Sequence, residues 1–221
     1  MEKALIIGAS GGIGAALVAQ LQARGVAVTG LSRRDDGLDV TDEDSVAAAL
    51  GRLAPGFDLI LVATGALVID GAEPEKTIRR VTAQAMADQF TLNCIGPSLV
   101  LKHSLRLMPR DRRAVFAALS ARVGSIGDNA LGGWYSYRTA KAALNQMIHT
   151  SAIELARSHR HALCVALHPG TVATRFTADY AATHDRVEPD QAAANLLGVI
   201  EGLTPAETGG FFDWQGKRVT W

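Results

Sequence analysis

Lys3-Ala4-Leu5-Ile6-Ile7-Gly8-Ala9-Ser10-Gly11-Gly12-Ile13-Gly14 is the stretch from which the fold can be read. Apolar after Lys3, too short for a helix and stopped by glycine, residues 3–7 predict a buried strand. From Gly12 to Arg24 the apolar residues at 13, 16, 17 and 21 recur at helical spacing, so a helix follows with only a glycine turn between. Glycines there let the chain turn tightly and let phosphates approach the backbone, while the helix start supplies free N–H groups and positive potential. Gly8, Ser10, Gly11, Gly12, Ile13 and Gly14, spaced G-x-x-x-G-x-G, are therefore candidate dinucleotide contacts.

Outward from this unit the alternation continues. Strands are expected at Val26–Leu31, Leu38–Val40, Phe57–Ala63, Ala114–Leu119, Ala162–Leu167 and Gly210–Asp213. Helices are expected from Asp42 to Leu53, from Gln84 to Met108 with an interruption at Gly96-Pro97, from Tyr135 to Arg157 and from Pro189 to Leu203. Strands that are apolar throughout and separated by helices predict an α/β fold: a single doubly wound (Rossmann) parallel sheet with helices on both faces. No linker, repeat or low-complexity stretch interrupts it, so residues 1–221 read as one domain. In such folds ligands bind beyond the carboxyl ends of the strands.

Apolar residues make up 48% of the chain, and Lys plus Arg equals Asp plus Glu at 22 each. Without a basic excess, a nucleic-acid or membrane-surface partner is not expected. No apolar run approaches the ~20 residues of a membrane span, and no secretory signal is read at Met1-Glu2-Lys3. Cys94 and Cys164 lie in separate apolar segments and read as small core residues in a reducing compartment. The expected location is the cytoplasm.

The end of the second strand bears on cofactor choice. A carboxylate there would hold the ribose 2′-hydroxyl of NAD, whereas an arginine accommodates the 2′-phosphate of NADP. The chain reads Leu31-Ser32-Arg33-Arg34. Arg33 is a permanently charged, bidentate partner for a phosphate, so NADP(H) is expected, with NAD(H) the alternative. Asp39 is a candidate contact to the adenine, with Val40 packing on it. Tyr137 and Lys141, four apart, share one face of a helix. A tyrosine with an ordinary pKa near ~10 is a poor acid–base group at neutral pH; a neighbouring ammonium lowers that pKa and makes proton transfer workable.

Taken in order, Gly8-x-x-x-Gly12-x-Gly14, Asn93 within Leu92-Asn93-Cys94-Ile95-Gly96-Pro97, Tyr137-x-x-x-Lys141 and Pro169-Gly170-Thr171-Val172-Ala173-Thr174 resemble the short-chain dehydrogenase/reductase family in its single-domain branch, over essentially the whole chain. The run from Ser120 to Ile126 through Gly132–Tyr137 is similar to the carbonyl reductase-like subgroup of the sniffer and C-factor proteins. The resemblance implies that Tyr137 exchanges a proton with the substrate oxygen, that Lys141 lowers its pKa and holds the nicotinamide ribose, and that Asn93 holds a water leading to solvent. It implies a strand-end serine that hydrogen-bonds the carbonyl; Ser120 is the candidate and Ser125 the reserve, because Ala121 stands where the second residue of the family's Ser-Ser pair falls. Pro169, Gly170, Val172 and Thr174 would border the nicotinamide. Ala63, Thr64 and Gly65 replace the family's Asn-rich segment, with Gly65 keeping the close backbone approach. The implied partners are a small carbonyl or alcohol substrate and further copies of the chain, as a homodimer or homotetramer. The implied alternative is a C-factor-like, cofactor-binding regulatory protein with weak or no turnover.

Other polar clusters read as structural. His159 and His161 are expected to be exposed helix-end residues rather than metal ligands; His149 and Glu154, five apart, do not share a face; and no metal site is expected. His168 reads as a packed strand-end histidine. Trp134, Phe176 and Tyr180 are candidates to line the substrate cavity, Arg175–Glu188 to form its lid, and Trp214 and Trp221 to serve packing or a subunit contact.

Overall fold

The computed structural model describes residues 1–174 and 186–221; the candidates Phe176 and Tyr180 and most of the proposed lid lie outside them. Six parallel strands form one sheet: β1 (Lys3–Ile7), β2 (Ala27–Leu31), β3 (Leu59–Val62), β4 (Ala114–Leu119), β5 (Ala162–His168) and β6 (Phe211–Asp213), in the order β2-β1-β3-β4-β5-β6. The chain moves outward from β1 to β2, then returns across β1 to β3. The crevice between β1 and β3 is thus the switch point at which doubly wound folds bind ligands.

Side chains alternate between the faces of a strand, and each face carries its own core. Ala4, Ile6, Leu59, Leu61, Val115, Ala117, Leu163 and Val165 pack against α1 (Gly12–Ala23) and α7 (Pro189–Gly202). Leu5, Ile7, Ile60, Val62, Phe116, Ala118, Cys164 and Ala166 pack with residues of α3 (Glu43–Gly51), α5 (Gly96–Ser104) and α6 (Tyr135–Ser158). Both cysteines are buried and free. Among the described residues no helix is long and apolar enough to cross a membrane.

Two expectations change. Leu38–Val40 is not a strand. β2 ends the sheet with no strand beyond it among the described residues, and the chain turns through α2 (Arg33–Asp36) and Gly37 at φ 70°. Leu38 and Val40 still bury their side chains, but the Asp39 N–H goes to Ser45 Oγ at 3.0 Å rather than to a neighbouring strand. The segment from Gln84 to Met108 is also not one helix. α4 (Ala83–Phe90) passes into a π turn at Thr91–Ile95 before α5 begins. Pro97, in the first turn of α5, brings no N–H to the Asn93 carbonyl four residues back, and its ring crowds that position. The wider turn relieves the crowding and buries Asn93 completely.

Candidate active site

The glycine turn lies at the carboxyl end of β1. Gly8, at φ 87°, accepts the conformation that closes the turn, and its N–H donates to the Leu31 carbonyl at 2.8 Å. A Cβ on Gly14 would stand 2.1 Å from the Gly8 oxygen, so helix and turn can approach only through glycine. A Cβ on Gly8 would meet the Ala63 backbone at 3.0 Å and the Thr64 methyl at 3.1 Å, and one on Gly12 would meet the Thr174 methyl at 2.8 Å. Ala63-Thr64 and Thr174, far apart in sequence, therefore close on the turn from two sides. Gly11 precedes α1 without a side-chain cap, so no capping side chain takes up the first N–H groups of that helix.

Beyond β2, Ser32 caps α2 by accepting from the Asp35 N–H at 3.1 Å. Arg34 is taken by Asp35 at 2.9 Å. Arg33 is exposed and has no salt-bridge partner among the described residues. Asp39 turns inward on its own loop, its Oδ1 accepting from the Thr41 N–H and hydroxyl at 2.9 and 2.7 Å. Val40 is buried against Gly96.

The helix α6 carries Tyr137 and Lys141 on its buried face. Lys141 Nζ stands 5.7 Å from the centre of the Tyr137 ring and donates to the Leu119 carbonyl at the end of β4, at 2.9 Å. Gly65 seats between Asn93 and Lys141, where a Cβ would lie 2.8 Å from Asn93 Oδ1 and 3.6 Å from Lys141 Nζ. Asn93 donates its amide to the Ala66 carbonyl at 3.0 Å and to Gln89 Oε1 at 2.7 Å. Its Oδ1 is buried without a protein partner on the side that faces Gly65 and Lys141. Gln89, one turn before Asn93, is a component that the sequence reading missed; only its four-residue spacing pointed to it.

Burial governs the titration of the pair. Desolvation pushes the Tyr137 phenol above its ordinary value and pulls the Lys141 ammonium down to about 7. Both groups have left water, and burial opposes the charged form of each.

The serine candidates each have a protein partner. Ser120 donates its hydroxyl to Asn145 Oδ1 at 2.6 Å, and Ser125 Oγ accepts from the Asp128 N–H at 3.1 Å. Asn145, one turn after Lys141, was not anticipated. Trp134, at φ 53°, sets the ring edge toward Tyr137 at 6.3 Å between centres. At the end of β5, Pro169-Gly170 turns at φ 80°, against the Trp214 ring, and Val172 is buried in a bridge to Val187. His168 has a buried Nδ1 without a partner, and burial lowers its pKa to about 4. His159 is buried rather than exposed, its Nδ1 paired with Ser158 Oγ at 2.9 Å, whereas His161 is exposed. Trp221 stacks on Phe211 at 6.0 Å, the packing role expected of it. No cluster of metal-ligating side chains occurs among the described residues.

A catalytic-type Tyr–Lys face beside a glycine turn at the switch point directs the comparison with known proteins. The short chain dehydrogenase family model matches residues 2–185. The chain belongs to that family. A 1-hydroxy-2-glutathionyl-2-methyl-3-butene dehydrogenase from Rhodococcus sp. (strain AD45) is 32% identical over 239 residues, covering 100% of both chains. The C-signal protein of Myxococcus xanthus is 35% identical over 136 residues, covering 62% of this chain and 78% of the relative. An NADPH-bound carbonyl reductase from chicken fatty liver superposes with a TM-score of 0.84 at 25% identity, covering 100% of this chain and 99% of that one. This short-chain dehydrogenase is thus an oxidoreductase by family, built on the sheet described above.

Proposed function

We propose that residues 1–221 act as one unit that interconverts a small carbonyl compound and its alcohol with NADP(H). The observation that carries the reading is the burial of Tyr137 and Lys141 on one face of α6, with Gly65 and Asn93 against Lys141, one crevice away from the glycine turn. The dehydrogenase relative and the NADPH-bound carbonyl reductase support it. The residues suit a dinucleotide. Gly8, Gly12 and Gly14 let the turn, the helix start, Ala63-Thr64 and Thr174 approach more closely than any Cβ would allow, and α1 begins without a side-chain cap to take up its first N–H groups. Gly8–Gly14 would hold the pyrophosphate, Arg33 the 2′-phosphate, Asp39 and Val40 the adenine, and Ala63–Gly65 with Pro169, Gly170, Val172 and Thr174 the nicotinamide half. When bound, the cofactor supplies or accepts the hydride.

The chain's own residues manage the proton. Burial keeps the Tyr137 phenol neutral at physiological pH, the form that donates to a substrate oxygen during reduction. Lys141, lowered to about 7, is divided between charged and neutral forms near neutrality. Its charged form stabilises the phenolate left by donation, and its proton can reprotonate Tyr137. Asn93, whose Oδ1 is buried without a protein partner beside Gly65, would hold the water that links Lys141 to solvent. The test is loss of the NADPH absorbance band on mixing with a panel of aldehydes and ketones. Turnover by Tyr137→Phe at the wild-type rate would remove Tyr137 from the mechanism.

A second reading, a cofactor-binding regulatory protein with weak or no turnover, is favoured by one observation: Ser120 commits its hydroxyl to Asn145, and Ala121 follows it. It predicts NADPH binding by calorimetry without turnover, and a cellular phenotype unchanged by Tyr137→Phe. The cytoplasm as location and a homodimer or homotetramer as assembly complete the proposal.

A further inference from the structure

The helix that carries Tyr137 lacks a cap of its own. Its first four N–H groups have no partner within the helix, and Trp134, the preceding residue, is left-handed and its indole, a donor only, supplies no side-chain cap. Glu75, 61 positions earlier, fills the role. Its two carboxylate oxygens accept from the Ser136 N–H, at 3.1 Å, and from the Ser136 hydroxyl, and its backbone carbonyl accepts from the Trp134 N–H at 2.6 Å. Glu75 is 6% exposed, yet its carboxyl lies below the usual range: burial raises it, and the bonds from Ser136 more than offset that. A carboxylate at this end also complements the dipole of a 24-residue helix.

The segment ending at Glu75 is held at its other end by the second group near Lys141. The Ala66 carbonyl accepts from Asn93 Nδ2, the Leu67 carbonyl accepts from Gln89 Nε2 at 2.9 Å, and Gln89 in turn accepts from Asn93. Residues 66–75 therefore form a strap from Asn93 to the residues on either side of Tyr135, with Tyr137 next in line. Ile69, Ala72, Pro74 and Glu75 of this strap wall a small cleft whose far side is Tyr137, Ser136 and Gln89.

We propose that Glu75 is a positioning residue that sets the Tyr137 hydroxyl relative to Lys141 and Asn93 by locking this strap onto the start of α6. The inference rests on the reading of Tyr137 as the proton donor. A residue that merely stabilised the fold would lose turnover and cofactor affinity together. A residue that aims the donor loses turnover alone, because a misplacement of about 1 Å costs on the order of 10²-fold in rate.

The test compares Glu75→Ala, Glu75→Gln and Tyr137→Phe in the full chain. Three quantities are measured: kcat with NADPH and 4-nitrobenzaldehyde as the carbonyl probe, the Kd for NADPH, and amide hydrogen exchange over residues 133–140. Glu75→Ala should lower kcat by roughly 30–100-fold, change the NADPH Kd by less than about threefold, and speed exchange over 133–140. Glu75→Gln keeps an acceptor for the Ser136 N–H and should recover kcat to within about fivefold of wild type. Unchanged exchange in Glu75→Ala overturns the proposal whether or not the aldehyde is turned over. So does parallel loss of kcat and NADPH affinity, or failure of Glu75→Gln to recover. If Tyr137→Phe is inactive while Glu75→Ala is fully active, positioning by Glu75 fails alone; if Tyr137→Phe is fully active, the assignment of the proton donor fails.

Discussion

Replacing Gly124 by alanine drives a methyl group into the helix that carries Lys141. The short turn Arg122–Gly124 after β4 lies so close to α6 that a Cβ on Gly124 would stand 2.8 Å from Lys141 Cβ, 2.9 Å from its carbonyl carbon and 3.1 Å from the Ala142 nitrogen. Carbon atoms in good contact are ~3.5–4.0 Å apart, so the turn and the helix must separate by at least about 0.7 Å. Two of the three obstructing atoms are backbone, so a side-chain rotation does not relieve the clash. Overpacking of this kind costs ~1–3 kcal/mol, and for a chain of this length ~2 kcal/mol corresponds to a fall in Tm of about 4–8 °C. Lys141 Nζ is held by the Leu119 carbonyl on the far side of the same turn, so the displacement falls on the proposed relay. A fall in kcat on the order of 10-fold or more accompanies it. Calorimetry and NADPH-coupled turnover measure the two effects, with Gly198→Ala as the control. Gly198 lies within α7 with nothing inside 4 Å of a built Cβ, and alanine there should add ~0.5–1 kcal/mol of stability. A Gly124→Ala protein with wild-type Tm and kcat would refute the close packing of turn on helix and the reasoning built on it.

His168 should make stability depend on pH. Its folded pKa, about 4, lies below the ordinary 6.5, so between those values the unfolded chain binds the extra proton. Stability therefore rises with pH across that window and is lost on acidification, by up to ~3 kcal/mol. Urea melts of His168→Gln should show a flatter profile between pH 4 and 6.5, and a profile parallel to wild type would contradict the burial of this ring. Lys141 acts in a higher window: with its folded pKa near 7 against 10.5, stability should climb from about pH 7 to 10 in wild type and less in Lys141→Met. Arg33→Asp should weaken NADPH binding by roughly 10–100-fold, the loss of ~1.5–3 kcal/mol in charge-assisted bonds, and leave NADH binding equal or improved. Equal losses for the two cofactors in calorimetry would show that Arg33 does not read the 2′-phosphate.

How much was legible follows from the range of the forces involved. The sequence alone determined the strand–turn–helix at residues 3–23, because alternation, helical period and glycine tolerance are local properties of the backbone. It also placed Tyr137 and Lys141 on one face, since four residues make about one helical turn wherever the helix lies. It could not determine that Leu38–Val40 stays out of the sheet. That stretch has strand-like residues, but a strand needs a hydrogen-bonding partner, and partners are assigned by the whole sheet. Nor could it aim Ser120, whose hydroxyl was settled by Asn145, 25 positions away. The direction of the Tyr137 pKa was equally hidden: the Tyr–Lys spacing suggests attraction, while burial, a property of everything packed around the pair, sets the sign. Glu75 is the extreme case. Nothing in the sequence singles out its carboxylate, and only the tertiary fold brings it to Ser136, where a helix start has donors to satisfy and an acceptor 61 residues back in the chain meets them.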